Sequence, residues 1–330
     1  MRIGLNPYGL AYTLGLQGHG TDRQNPNGIG LSGYLEIAQE IGSDLVELHE
    51  PWLAAMSDDE LAAFRARLEG MGMLPVVATG LHSTPVERVL RGATGVGALT
   101  VRMVLSTVLC GERGAMGGDW EKLVDEVRTK LMSAAALARD VGVTLAIENH
   151  QDFGSLELVE MCEAAGGGVG ICYDTGNSFP VAEAPLAFTR RIAPWVRHFH
   201  LKDYRVQMTD EGYRLVRVAA GEGAVPFEEI IPMVREANPE VTASIEVAAL
   251  DARHVRLLTP EWRQGYAPIS GQDLAACFAA TRRNRLAEDE DYRTPWETGE
   301  DDKLAAFELD QVRRSAANFK RMGLMKETQS

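Results

Sequence analysis

Four carboxylate and imidazole side chains lie at the ends of short apolar or β-branched segments in the second half of the sequence. They are Glu148, Asp174, His200 and Glu246. A charged or imidazole group is a poor occupant of a buried strand position unless it binds something there. Three carboxylates and one imidazole form an oxygen-rich ligand set, which suits Mn²⁺, Mg²⁺ or Co²⁺ better than the thiolate-rich cage of structural zinc. We therefore predict that these four residues bind one divalent metal ion, with Mn²⁺ as the first candidate.

Two further residues follow two of these ligands at a spacing of two. Since side chains two apart on a strand share a face, His150 should face the same cavity as Glu148. Its imidazole, with a pKa near working pH, suits a general base that removes a proton beside a carbonyl group. Lys202 has the same relation to His200 and would stabilise an enolate oxygen or a leaving group. The alternatives are that His150 only supports a metal ligand and that Lys202 forms an ion pair with Asp203.

Eight strand-like segments must position these side chains, and segments of helical periodicity separate most of them. The strand-like segments are residues 3–6, 45–49, 75–79, 101–106, 143–150, 169–174, 196–203 and 242–246. The helical segments include residues 31–41, 58–68, 121–140, 156–165, 184–192, 227–236 and 274–283. This alternation predicts an α/β fold with a parallel sheet and right-handed crossovers, and eight strands close a (β/α)8 TIM barrel. An open doubly wound sheet is the alternative, but no Gly-x-Gly-x-x-Gly sequence follows the first strand.

A barrel would bring the carboxyl ends of all eight strands to one face, where polar groups are typical of catalysis. The other interpretation is that each ligand is an ordinary strand-end charge in solvent. A carboxylate or imidazole at the end of each of four successive strands favours a common site. Carboxylates held together without a cation would raise one another's pKa, so the grouping itself calls for a metal ion.

Three connections are longer than a barrel requires, and each follows a strand, so all three would lie on the catalytic face. They are residues 7–30, 203–225 and 249–269. Long loops in compact domains are usually lids or binding loops, although a surface insertion without function is the alternative. The second loop should contain a β-hairpin with its turn near residues 209–212. From the first loop we expect three side chains to contact the substrate: Tyr8, Tyr12 and His19.

Two parts of the chain are expected, a catalytic barrel over residues 1–285 and an extension over residues 286–330. The extension has an acidic linker and then a helix near residues 304–322. Its apolar residues recur at roughly helical spacing and form a stripe: Leu304, Phe307, Val312, Phe319 and Met322. A stripe of this size is seldom left in water, so it should cover either the barrel's own helices or a second protein. We expect the chain to form an oligomer.

Composition limits the classes of protein to consider. The chain has 330 residues, of which 45% are hydrophobic, and a net charge of -14. Such a charge argues against a general binder of nucleic acid or of anionic membranes. No apolar run approaches the roughly 18 residues of a membrane span, and the four cysteines show no paired spacing. We therefore expect a soluble cytoplasmic protein without disulfides.

Five segments resemble motifs of the sugar phosphate isomerase/epimerase-like TIM barrels, also called the xylose-isomerase-like superfamily. They are Ile-Glu-Asn-His from residue 147, Tyr-Asp-Thr-Gly-Asn from 173, His-Phe-His-Leu-Lys-Asp from 198, Gly-Glu-Gly-Ala-Val-Pro-Phe from 221 and Ser-Ile-Glu from 244. The resemblance covers about residues 1–285 in architecture and is specific from 143 to 247. It implies that the four ligands hold one metal ion, which chelates the substrate carbonyl and a neighbouring hydroxyl.

Two departures from the superfamily pattern narrow the choice among its members. Ketose epimerases and AP endonucleases commonly have a histidine three residues after the metal aspartate. Here that residue is Asn177, which can bind a substrate by hydrogen bonds but is neither a base nor a strong ligand. AP endonucleases also need a histidine at the end of strand four, where this chain has Leu105 and Ser106. With the acidic net charge, these differences disfavour DNA repair.

Within the superfamily, the segment Leu-Asn-Pro-Tyr-Gly-Leu from residue 5 resembles the large (alpha) subunit of C-glycoside deglycosidases. That resemblance implies a metal-dependent lyase that removes the proton α to the carbonyl of a 3-keto-sugar. Elimination would then cleave the carbon–carbon bond of a 3-oxo-C-glycoside, with His150, Lys202, Glu148 and Glu246 as catalytic groups. It also implies a small β-rich second subunit. A ketose isomerase or 3-epimerase and an inosose-type dehydratase are the alternatives, and the intact ligands disfavour a non-catalytic carbohydrate-binding protein.

Overall fold

Strands and helices alternate along the chain in the computed structural model, which describes residues 1–110 and 112–326. The strands are β1 (Ile3–Leu5), β2 (Leu45–His49), β3 (Leu74–Gly80), β4 (Thr100–Val104), β5 (Thr144–Glu148), β6 (Val169–Asp174), β7 (Val196–Leu201), β8 (Asp203–Thr209), β9 (Gly212–Val218), β10 (Thr242–Ile245) and β11 (Arg253–Val255). The helices are α1 (Gly30–Glu40), α2 (Glu50–Ala54), α3 (Asp58–Gly70), α4 (Val86–Val96), α5 (Arg113–Met116), α6 (Gly118–Asp140), α7 (Ser155–Ala165), α8 (Pro185–Ile192), α9 (Phe227–Ala237), α10 (Pro260–Gln264), α11 (Gly271–Arg283), α12 (Pro295–Thr298) and α13 (Asp301–Arg321).

Eight of these strands are parallel and close into a barrel in the order β1-β10-β7-β6-β5-β4-β3-β2. Hydrogen bonds between β1 and β2 complete the closure, with Leu5 opposite Val46. The predicted (β/α)8 TIM barrel is therefore confirmed. Helices cover the outside and side chains fill the inside, which explains why the strands are buried on both faces and nearly continuous in apolar residues. The ring of Tyr173 on β6, for example, stacks on Phe188 of α8 with 5.4 Å between centroids.

A second, smaller sheet is formed by two of the long loops. The hairpin β8–β9 turns at residues 209–212, as predicted, and β11 from the loop after β10 joins β9 in antiparallel pairing. Strand β11 has three residues, which is too few for the alternation that identifies a strand in sequence. This sheet follows the carboxyl end of β7 and therefore lies on the face of the barrel where the predicted metal ligands end their strands.

The apolar stripe of the C-terminal helix α13 is covered by the chain itself. Leu304, Val312 and Phe319 are buried, and the ring of Phe319 packs edge-on against Phe227 of α9 at 5.3 Å. The stripe therefore takes the first of the two partners that the sequence allowed, which is the barrel. The second subunit and the oligomer stay predictions. No helix in the described part of the chain is both long enough and apolar enough to cross a lipid bilayer.

The C-terminal segment also fixes the long loop after β1. The buried carboxylate of Glu308 on α13 accepts hydrogen bonds from the backbone amide of Tyr12 at 3.0 Å and from that of Thr13 at 2.8 Å. It accepts a third from the Thr13 hydroxyl at 2.7 Å. Arg23 of the same loop pairs with Asp301 at the start of α13. The conformation of the loop thus depends on residues nearly 300 positions away in sequence.

We predict that Glu308→Ala lowers the free energy of unfolding by about 2–3 kcal/mol, because it leaves two buried backbone amides and a hydroxyl without an acceptor. Urea denaturation of the purified protein measures this difference. The matched control is Asp310→Ala on the exposed side of the same helix, for which a much smaller change is expected. Equal effects of the two substitutions would show that Glu308 does not anchor the loop.

Candidate active site

The four predicted ligands converge at the carboxyl ends of three barrel strands and the residue after a fourth. Glu148 ends β5, Asp174 ends β6, His200 lies in β7, and Glu246 follows β10. Strand register places Asp174 opposite His200. One ligand atom from each of the four buried residues lies within 4.8 Å of all the others. Metal–ligand bonds of about 2.0–2.6 Å allow ligand atoms on opposite sides of one ion to be nearly this far apart.

Several buried atoms of this cluster have no hydrogen-bond partner within the described part of the chain. They are both carboxylate oxygens of Glu148, Oε2 of Glu246 and Nδ1 of His200. The last two atoms are only 2.7 Å apart. A buried polar atom without a partner costs about 1–3 kcal/mol, and a divalent cation would satisfy all four. The residues present therefore fit a metal ion.

Glu47 on β2 was missed by the sequence analysis and orients the histidine ligand. Its carboxylate lies 3.0 Å from Nε2 of His200. A proton on Nε2, donated to Glu47, leaves the Nδ1 lone pair of the ring facing the other ligands, as in many metal sites. Glu47, His198 and His200 form a second close group, but it shares His200 with the first. A charged residue inside the apolar sequence Leu-Val-Glu-Leu was the signal that could have revealed Glu47.

Arg102 on β4 was also missed, and it neutralises two of the carboxylates. Its Nε atom is 3.2 Å from Oε1 of Glu47 and 3.1 Å from Oε2 of Glu148. Burial raises the pKa of Glu148, but the charges of Arg102 and His200 outweigh it and hold that pKa at about 2. Burial likewise raises the pKa of Glu47, and His200, His198 and Arg102 together bring it well below its usual value. Both carboxylates therefore stay ionised.

Lys202 joins two other carboxylates of the site. Its ammonium group contacts Asp174 and lies 2.7 Å from Oε1 of Glu246. Burial raises the pKa of Asp174 to about 7, against the opposing effect of Lys202. In the described structure Lys202 does not form the alternative ion pair with Asp203. That carboxylate instead accepts backbone hydrogen bonds that include those of Gly221 at 3.0 Å and Gly223 at 2.8 Å.

His150 lies on the wall of the cavity next to Glu148, although β5 ends before it. The strand argument that placed it there was therefore wrong in detail, since only Glu148 belongs to the strand. The imidazole makes no side-chain hydrogen bond within the described residues. Loss of hydration lowers its pKa to about 4, below the value near working pH expected from the sequence, so the ring is neutral and able to accept a proton. The next residue, Gln151, has φ +124°, a conformation that non-glycine residues rarely adopt and that is concentrated at functional sites.

Asn177 lies behind the cluster. Its amide donates to Oδ2 of Asp174 at 2.6 Å and accepts from the Tyr204 hydroxyl at 3.3 Å. The side-chain amide of Asn149 bonds to the backbone of the same aspartate. It donates to the carbonyl oxygen of Asp174 at 2.8 Å and accepts from its N–H at 2.7 Å. Asn177 does not line the cavity, so the structure assigns it contact with a ligand residue, while its binding of a substrate stays a prediction.

A cavity of about 340 Å³ opens over the cluster. Its polar and charged wall residues include Tyr8, Arg102, Glu148, His150, Lys202, Arg217, Glu246 and Arg253. Of the three side chains expected from the first long loop, only Tyr8 is among the wall residues. Tyr12 is buried next to the C-terminal helix, and His19 is exposed and bonded to Gln24 at 3.1 Å. Substrate contacts from Tyr12 and His19 stay untested predictions.

Fold and site together define a TIM barrel with a candidate divalent-metal centre at the carboxyl ends of its strands. A sequence profile of the xylose isomerase-like TIM barrel family matches residues 35–266, and the chain belongs to that family.

Curated relatives match parts of the chain. It is 23% identical over 219 residues to the uncharacterized protein YihM of Escherichia coli K12, an alignment that covers 63% of this chain and 64% of that protein. It is 26% identical over 137 residues to an inosose dehydratase of Bacillus anthracis, which covers 36% of this chain and 44% of the enzyme. Both alignments span less than two thirds of the relatives' own lengths.

Solved structures share the fold over most of the chain. A xylose isomerase-like TIM barrel protein from Mycobacterium smegmatis in complex with magnesium covers 85% of this chain and 97% of its own, with 18% identity and a TM-score of 0.57. A D-psicose 3-epimerase from Clostridium cellulolyticum H10 covers 99% of this chain and 100% of its own, with 16% identity and a TM-score of 0.56. At these identities the likeness concerns the fold alone.

We predict that the purified protein binds one divalent ion per chain and that Glu246→Gln or Asp174→Ala abolishes stoichiometric binding. Glu47→Gln should keep one ion per chain and weaken its affinity about 10- to 100-fold, because it removes the support of a ligand. Elemental analysis and calorimetric titration with Mn²⁺ measure both quantities.

The matched control for the metal titration is Asp152→Asn. Asp152 is a buried carboxylate outside the cluster that accepts from Ser106 at 2.6 Å, and its substitution should leave metal binding unchanged. The reverse result, with metal lost in Glu47→Gln and retained in Glu246→Gln, would move the ion to the group of Glu47, His198 and His200.

Proposed function

We propose that this protein is a metal-dependent enzyme that removes a proton α to the carbonyl group of a keto-sugar. The observation that carries the proposal is the imidazole of His150, which lies on the cavity wall beside Glu148 without a side-chain hydrogen bond in the described structure. A base without a partner next to a metal cluster is suited to take a proton from a bound substrate. The dehydratase and epimerase relatives belong to the same class of chemistry.

The residues of the site have separate roles in this reaction. A divalent cation, with Mn²⁺ as our first choice, would polarise the substrate carbonyl when bound by the four ligands. His150 accepts the α-proton, and the electron pair of the C–H bond moves toward the carbonyl oxygen. Lys202 stays an ammonium group between Asp174 and Glu246, and its charge stabilises the enolate oxygen that develops.

The preferred outcome is β-elimination. In a 3-oxo-C-glycoside, His150 would take the proton at C2, and the enolate electrons would return to form a C1–C2 double bond and break the bond from C1 to the aglycone carbon. The departing carbon then takes up a proton. An inosose-type dehydratase follows the same course with water as the leaving group. Partial similarity to inosose dehydratases supports elimination as a class, and carbon–carbon cleavage with a small β-rich second subunit is the finer proposal.

Epimerisation is the second candidate, and a specific observation favours it. Glu148 at the end of β5 and Glu246 just after β10 both line the cavity, and both have carboxylate oxygens without a hydrogen-bond partner among the described residues. Two carboxylates on opposite sides of a substrate carbon could remove a proton on one face and return it on the other.

A substrate panel in D₂O tests the function directly. The metal-loaded chain is incubated with a 3-oxo-C-glycoside, an inosose and a free ketose, and the products are examined by NMR. Elimination predicts an unsaturated product and a released aglycone or water. Epimer formation with deuterium at the α carbon would reject elimination, and no metal-dependent exchange with any keto-sugar would reject the proposed function. Adding the candidate second subunit to the same mixtures tests whether it raises the rate of C-glycoside cleavage.

We predict that His150→Gln lowers turnover by about 10²-fold or more and leaves metal content unchanged, because the base is lost and the ligands are not. Steady-state kinetics and elemental analysis measure the two effects. The control is His254→Gln on β11, whose ring bonds to Thr209 at 3.0 Å and is not among the cavity residues. Near-normal turnover of His150→Gln after metal refilling would transfer the role of base to a carboxylate.

A further inference from the structure

Two arginines of the small sheet lie side by side in the wall of the cavity. Arg253 on β11 is opposite Leu215 on β9, and Arg217 is two residues farther along β9. Residues two apart on a strand share a face, so Arg217 and Arg253 are diagonal neighbours on one face of the sheet, with Cα atoms roughly 7–8 Å apart. Both residues line the same cavity as Glu148 and Glu246. A ligand in that cavity can therefore contact the arginines and the metal cluster together.

These arginines differ from the other cations of the cavity wall, which are already paired. Arg102 is held by Glu47 and Glu148, and Lys202 by Asp174 and Glu246. Neither Arg217 nor Arg253 forms an ion pair with a carboxylate anywhere in residues 1–110 and 112–326.

The two guanidinium groups also have unused hydrogen-bond donors. Arg217 is only 7% exposed, and its one side-chain hydrogen bond goes to the backbone oxygen of Asp251 at 2.7 Å. The Nε atoms of both residues are buried and have no partner within the described chain. Burial lowers the pKa of Arg253, and the neighbouring charge of Arg217 lowers it further. Two adjacent cations without a carboxylate partner, one buried and the other partly buried, are unfavourable unless an anion joins them.

We propose that Arg217 and Arg253 bind an oxyanion group of the substrate, such as a carboxylate or a phosphate. The planar fork of a guanidinium matches these groups and can bind them through two parallel hydrogen bonds. The inference rests on the proposed function, and it narrows the substrate class to a keto-sugar that carries an anionic group. The anion is held by the sheet, while the carbonyl end of the sugar reaches Glu148 and Glu246.

Anion binding can be measured without turnover. The full chain, first as purified and then with EDTA, is titrated calorimetrically with inorganic phosphate, D-glucuronate and D-glucose 6-phosphate, and D-glucose serves as the uncharged probe. We expect the charged sugars to bind more tightly than D-glucose in both conditions. The charged sugar that binds more tightly shows whether the preferred anionic group is a carboxylate or a phosphate. Anion binding that is lost once EDTA has removed the metal, and once the chelator, itself an anion, has been dialysed away, would be assigned to the metal and would overturn the inference.

Substitutions then assign the binding to the arginines. Arg253→Gln should raise the dissociation constant of the charged sugars about tenfold or more and leave that of D-glucose unchanged. Arg217→Gln should do the same. The side chain of Arg253 is only partly buried and makes no hydrogen bond among the described residues, so Arg253→Gln keeps the test valid where Arg217→Gln unfolds.

The matched control is Arg214→Gln. Arg214 is on β9 as well, but on the opposite face, where it donates to Gln207 at 2.8 Å and stacks on Tyr292. The control removes the same charge and should not change anion affinity. If Arg214→Gln and Arg253→Gln weakened the affinity for the charged sugars equally, the effect would come from overall charge, and a specific subsite would be rejected.

The inference and the proposed function fail in different ways. Anion binding that depends on Arg253, without turnover of any keto-sugar, would reject the proposed function and keep the subsite. Turnover of neutral and acidic keto-sugars with equal kcat/KM, unchanged in Arg253→Gln, would reject the subsite and keep the proposed function.

Discussion

A balance of buried charge at the carboxyl end of the barrel determines the rest of the site. Four buried carboxylates meet there: Glu47, Glu148, Asp174 and Glu246. Arg102 and Lys202 contribute two positive charges. Binding of a metal ion would displace one proton from His200, and with that imidazole neutral two negative charges remain, which is the charge that one divalent cation compensates. Uncompensated ions in a protein interior cost several kcal/mol each, so gathering these carboxylates depends on Arg102 and Lys202 and favours the binding of a divalent cation.

Closure of the barrel makes this balance possible. Glu47 and His200 are 153 residues apart in sequence and come from β2 and β7, which are not neighbours in the sheet, yet their side chains meet at 3.0 Å inside the barrel. Arg102 on β4 reaches both Glu47 and Glu148 and so links β2 with β5. The contacts of Glu47 with His200 and with Arg102 therefore join strands that do not hydrogen-bond to one another, and an open sheet would leave Glu47 and His200 as separate buried groups.

The barrel and the cluster of Glu148, Asp174, His200 and Glu246 could be predicted because their signals are local: the alternation of strand and helix patterns, and a polar residue where each of these strands ends. Glu47 and Arg102 carry a similar signal, a charge within an apolar run, but they lie in mid-strand and their meaning depends on partners from other strands. The first long loop gave no such guidance, since its shape depends on Glu308 almost 300 residues later. Arg217 and Arg253 could not be paired from sequence because β11 is too short to reveal its register.

The cations of the cavity divide into two groups with different physical roles. Arg102 and Lys202 are neutralised by the ligands they support, so they have little charge left for a substrate. Arg217 and Arg253 have no such partners among the described residues. A chain with a net charge of -14 repels an anion at long range, so an anionic ligand must be attracted by contacts shorter than the screening length of about 8 Å. Because these two arginines lie on a sheet added to the barrel, substitutions at Arg217 and Arg253 can accumulate in evolution while the carboxylate cluster and its charge balance stay intact.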